Sequence, residues 1–158
     1  MKSLTLFIAI FFAGLALATG LPSTLTLDRP SVVAVYTPDN EVTAAEKSSD
    51  GFADFIDDFW VYRQAIESAL RGNKEVAFVN SSATRILFKG NEHTPITRSS
   101  LSGYGFVIYV PGQAPVIFRG VATDDDVLCE LKQIDPHVKV SAQCGQTGIR
   151  TPLLTPKL

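Results

Sequence analysis

This 158-residue chain has only two cysteines and two histidines. Cys129 and Cys144 stand fifteen residues apart, without the C-x-x-C spacing of a dithiol redox site. His93 and His137 have no His or Cys at the short spacing that a zinc site uses, so no metal site is expected. No G-x-S-x-G occurs, and Ser102-Gly103-Tyr104-Gly105 lacks the leading glycine of that elbow. Asp124-Asp125-Asp126 lacks the D-x-[DN]-x-[DN]-G spacing of a calcium loop and reads as helix-capping acid. There is no basic cluster either, which argues against nucleic acid and anionic membrane as partners. None of these motifs supports a cofactor.

What is present begins with an export signal. Lys2 precedes an apolar run from Leu4 to Ala18 that closes on Ala16-Leu17-Ala18. A charged start, an apolar stretch and a small-residue exit are the parts of a secretory signal peptide. The run is shorter than the roughly twenty residues of a spanning helix. No cysteine follows it for lipid attachment, and no later segment is long enough to cross a bilayer. Residues 1–18 are therefore expected to be removed, leaving a soluble periplasmic or secreted protein that starts near Thr19. The full chain has a net charge of −2, and loss of Lys2 makes the mature form −3 (−2 − 1). Hydrophobic residues make up 46% and charged residues 19%, which fits one ordinary globular domain.

Within the mature chain, residues 19–30 read as an arm or edge strand, 31–135 as a single α/β domain, and 136–158 as an irregular tail. Leu25–Leu27 and Ser31–Tyr36 are strand patterns, the second apolar enough to be covered on both faces. Thr37-Pro38-Asp39-Asn40 is a turn cluster, and the polar stretch 41–50 reads as a loop or frayed turn. From Phe52 to Leu70 the apolar residues Phe52, Phe55, Ile56, Phe59, Ile66 and Leu70 recur at three- and four-residue steps, the stripe of a helix. Ser49 or Asp50 is the expected cap, and Gly72-Asn73 the stop. Glu75–Asn80 and Thr84–Lys89 read as strands, and 92–102 as irregular. Gly103–Val110 and Ala114–Arg119 flank Pro111-Gly112 as an antiparallel hairpin. Thr123, three residues before Asp126, opens a last helix reaching about Gln133.

Strand, long helix, strand, then a hairpin running into a terminal helix resembles the thioredoxin-like fold. The likeness is carried by Ser31–Tyr36 with the 52–70 helix, and by Gly105–Val121 with Thr123–Leu128. It implies an α/β three-layer sandwich with a central mixed sheet, closed by the hairpin and the last helix. It also implies a dithiol after the first central strand and a cis-proline before the hairpin. This chain has Tyr36-Thr37-Pro38-Asp39-Asn40 at the first place and Ser102-Gly103-Tyr104-Gly105 at the second, so dithiol exchange is not expected.

Three functions stay open on the sequence. The first is a non-catalytic binding or accessory module whose partner, another protein or peptide, docks near Tyr36, Pro38, Asp39 and Tyr104. Family analogy places that site, and Tyr104→Ala is expected to weaken binding without unfolding the protein. Trp60, at the edge of the helix stripe, is a further contact residue. The second is an enzyme whose His93, Ser102, Tyr104 and an aspartate converge only in three dimensions. The third is thiol chemistry at Cys129. An even cysteine count in an exported chain points instead to a Cys129–Cys144 disulfide tying the tail to the last helix. Asn80-Ser81-Ser82 is an N-glycosylation triplet, meaningful in a eukaryotic source.

Overall fold

The computed structural model describes residues 23–144, so the signal segment 1–18 and the end of the tail lie outside the described residues. Among the described residues seven strands form two mixed sheets. β1 (Thr24–Leu27), β4 (Arg85–Phe88) and β5 (Asn91–Thr97) make the smaller one, in the order β1-β4-β5. The larger has the order β3-β2-β6-β7, from β2 (Ser31–Val35), β3 (Ala77–Ser81), β6 (Gly105–Tyr109) and β7 (Val116–Arg119). In it β2 runs parallel to β3 and antiparallel to β6, and β6 pairs antiparallel with β7. The helices are α1 (Ala44–Lys47), α2 (Phe52–Leu70) and α3 (Asp124–Ile134), with a 3₁₀ turn at Arg98–Leu101.

The period of two along β2 and β6 sorts two cores. Val32, Ala34, Phe106 and Ile108 pack with Phe59, Ile66 and Leu70 of α2 and Val127, Leu128 and Leu131 of α3. Val33, Val35, Val107 and Tyr109 point the other way, onto Leu27, Ile86, Phe88 and Ile96 of the small sheet. Both strands are buried at every position, as the unbroken apolar runs require. The layers are therefore helices, four-stranded sheet and three-stranded sheet.

Three local expectations are corrected. The cap of α2 is Gly51, left-handed at φ +77° and without a side-chain bond, rather than Ser49 or Asp50. Residues 41–50 hold the short helix α1, closed by a capping box in which Thr43 and Glu46 each satisfy the other's backbone N–H. Residues 91–97 form a strand, although only Ile96 of it is buried. An edge strand with one inward side chain has no apolar alternation to display. The tail is tied down as expected, with Cys129 and Cys144 joined at an S–S distance of 2.04 Å.

Candidate functional site

β2 carries the chain through the core and releases it at Tyr36. The loop that follows turns at once, with Glu41 N–H donating to the Pro38 carbonyl at 2.8 Å. It is then fastened to the entry of β6. Thr37 Oγ1 donates to the Gly103 carbonyl at 3.1 Å, and the Tyr104 hydroxyl donates to the Thr37 carbonyl at 3.1 Å. Gly103 is at φ +86°, and a Cβ on it would stand 2.6 Å from Thr37 Oγ1. Glycine is required there both by the backbone conformation and by the closeness of the loop.

Arg98 completes the fastening. Its Nη1 donates to the Ser82 carbonyl at 2.7 Å, and its Nη2 pairs with the carboxylate of Glu41. One guanidinium thus joins the exit of β3, the 3₁₀ turn and the loop after β2. These groups lie too far apart in sequence for any spacing rule to connect them. The capping box at Thr43 and Glu46, by contrast, has a local signal, the T-x-x-E spacing of residues 43–46, which the reading of 41–50 as a loop or frayed turn misses.

The aromatic side chains form a continuous path from core to surface. Phe106 packs on Phe59, with ring centroids 5.3 Å apart. Phe59 meets Tyr104 at 5.4 Å and Trp60 at 5.3 Å, and Trp60 meets Tyr36 at 5.3 Å. Trp60 is 38% exposed, so the path ends in an open ledge of Tyr36 and Trp60. The Arg63 guanidinium lies over Trp60 at 5.8 Å and over Phe78 at 5.6 Å, extending the ledge onto β3. Arg63 is held there by Asn80 Oδ1 at 2.7 Å and Glu67 at 2.9 Å.

The residues read from the sequence separate into two groups. Tyr36 and Trp60 meet, with the half-buried Pro38 and the exposed Asp39 in the adjoining loop. Tyr104 lies inside the core behind the loop, only 7% exposed, wedged against Phe55 and Phe59. Its expected place as a surface contact is corrected: it holds the loop from behind. The expectation that Tyr104→Ala leaves the fold intact is corrected with it, because the substitution would empty a core position. Burial pushes the Tyr104 phenol above its ordinary value, and the charges of Asp39 and Glu46 add to that. The hydrogen bonds from Thr43 hold the Glu46 carboxyl low.

The enzymatic grouping is not assembled. His93 is exposed on β5 towards its Gly90 end, whereas Ser102 follows the 3₁₀ turn beyond the Thr97 end. No hydrogen bond joins them among the described residues. Asp57 and Asp58 are exposed on α2. Asp126 takes part in the α3 cap with Thr123. No group of three His, Cys, Asp or Glu side chains suited to a metal occurs among the described residues. Cys129 is bonded to Cys144 and offers no free thiol. Two shallow grooves, of about 360 and 280 Å³, lie where α2 ends and β3 begins, and the second reaches Glu67 and Phe78 at the far end of the ledge.

Comparison with family models, with curated proteins and with solved structures finds no match to this chain.

Proposed function

We propose that this protein is an exported, non-catalytic binding or accessory module with a redox-inactive, thioredoxin-like core. Its partner is a protein or peptide that docks on the ledge of Tyr36 and Trp60 beside the Pro38–Asp39 loop. The observation that carries this reading is the ledge itself. An exposed Trp60 and a half-buried Tyr36 meet at the end of the central strand, with Phe59 behind Trp60 and the loop braced by Tyr104, Thr37, Gly103 and Arg98. A stiff aromatic surface of this kind binds with little ordering cost.

The thioredoxin-like reading is supported by the strand order β3-β2-β6-β7, with α2 linking the parallel pair and α3 following the hairpin on the same face. The opposite face departs from that plan, since a three-stranded sheet covers it. Tyr36–Asn40 occupies the place of the dithiol, so the end of the fold that elsewhere does thiol chemistry is left to recognition. Export is supported by the signal pattern of residues 1–18 and by the disulfide, which belongs to an oxidising compartment. No helix among the described residues is long and apolar enough to cross a membrane.

Selection from a displayed random-peptide library tests the binding reading. Peptides are expected to enrich on the native protein and to lose binding to Trp60→Ala and Tyr36→Ala variants that melt normally. Enriched peptides indifferent to both substitutions would move the site elsewhere, and no enrichment would count against a peptide partner. The mass of the exported protein, alkylated before and after reduction, tests the rest. A start near Thr19 and no alkylation before reduction are expected.

A further inference from the structure

The two edges of the four-stranded sheet differ in how they are guarded. β7 is preceded by Pro115 and ends in Arg119, features that discourage pairing with another strand. β3, Ala77-Phe78-Val79-Asn80-Ser81, carries neither proline nor charge. Its hydrogen bonds to β2 fix which way each peptide group points. Ala77 N–H donates to the Pro30 carbonyl at 2.9 Å, and the Ser81 carbonyl accepts from Tyr36 N–H at 3.1 Å. Residues 77, 79 and 81 therefore face β2, and the main-chain N–H and C=O of Phe78 and Asn80 face outward. No hydrogen bond reaches those four groups among the described residues. An unpaired edge of this kind is a template for strand addition.

The edge is continuous with the aromatic ledge, because Arg63 lies over both Trp60 and Phe78. At the Ala77 end of β3, Arg29, Arg71 and Glu67 line a groove with Phe78, so the acidic surroundings that select an occupant lie at the Ser81 end, where the strand meets the loop after Tyr36. Between residues 39 and 58 seven acidic side chains stand against one cation, Lys47. Asp39 is paired with Lys47 and Glu41 with Arg98; the other five have no ion pair among the described residues. Asp57 is one helical turn before Trp60 and is exposed. The positive charge of Arg63 is answered by Glu67.

We propose that the partner is a cationic peptide segment that adds in extended form to the free edge of β3. Its main chain pairs with Phe78 and Asn80, an apolar side chain rests on Trp60 and Tyr36, and its basic side chains face the acidic loop and α2. This rests on the binding-module reading above and names the partner class and the mode of binding.

Trp60 is the single tryptophan, so its fluorescence reports on the ledge alone. The probe is an amidated octapeptide alternating arginine and valine, with a glutamate–valine counterpart as control. The arginine peptide is expected to change Trp60 emission saturably, more weakly as salt rises, and to slow amide exchange at Phe78 and Asn80 by about tenfold or more. Methylating its alternate amide nitrogens should weaken it about tenfold, since the charges stay and the main-chain donors go. The glutamate peptide should do nothing. Saturable Trp60 response without slowed exchange at Phe78 and Asn80 would overturn strand addition and leave the ledge as a binding site. Equal response to both peptides would overturn the charge selection. No response to either would overturn the inference as a whole, whereas library selection decides the binding reading separately.

Discussion

Tyr104 shows how one side chain can serve a site without touching a ligand. Its ring fills the space beside Phe55 and Phe59, and its hydroxyl carries the Thr37 carbonyl. Tyr104→Phe keeps the ring and loses one hydrogen bond, so it should cost about 1 kcal/mol in denaturant unfolding. Tyr104→Ala should cost about 3–5 kcal/mol, in the range of buried aromatic truncations. The raised phenol also has a sign in pH. The folded protein holds this proton more tightly than the unfolded chain, so the associated stability is complete below the ordinary value of 10.0 and is lost as pH rises through the higher folded value. Stability should therefore be unaffected by this group at pH 9 and fall above about pH 10, and Tyr104→Phe should flatten that fall. At Gly103, alanine would face both the left-handed backbone and Thr37 Oγ1, and should destabilise by about 1–3 kcal/mol.

At the scale of elements, legibility in the sequence followed burial. α2 begins and ends at the residues that periodicity predicts, Phe52 and Leu70, because a stripe facing a core must repeat at helical spacing. β2 and β6 were visible for the complementary reason, being covered on both faces. β5 was not visible, since a polar edge strand such as Asn91–Thr97 is fixed by its pairing with β4 rather than by its own side chains. The candidate site divides in the same way. The aromatic residues could be listed from sequence, but that Tyr104 is buried and Trp60 exposed depends on how α2 packs against the entry of β6. Arg98 was invisible as a site residue, its partners Glu41 and Ser82 being supplied by other segments. Arg98→Met should leave the Ser82 carbonyl without its donor and loosen the loop. Amide exchange at 38–41 should quicken while the core of β2 stays protected.

Over the whole molecule, two constraints act on the last helix, one at its start and one at its middle. Its N-terminus is capped by Thr123 ahead of Asp124, Asp125 and Asp126, and Cys129 ties its middle to Cys144 in the tail. The bond closes a loop of fifteen residues, so a Cys129→Ser, Cys144→Ser variant should lose about 3 kcal/mol of stability, read by denaturant unfolding. The same variant should keep its affinity for a peptide bound at the ledge, because neither cysteine is part of that surface. The helices α2 and α3 share one core with the face of the sheet beneath the ledge, while the small sheet has a core of its own. Substitutions in the small sheet should therefore alter stability before they alter binding.

The central claim is that Trp60 and Tyr36 form a binding surface held by a rigid core. Its most direct measurement is the dissociation constant of a library-selected peptide for the native protein and for Trp60→Ala, at matched melting temperature. The account predicts a loss of about tenfold or more, corresponding to at least about 1.4 kcal/mol. Equal affinities in two equally folded proteins would contradict it.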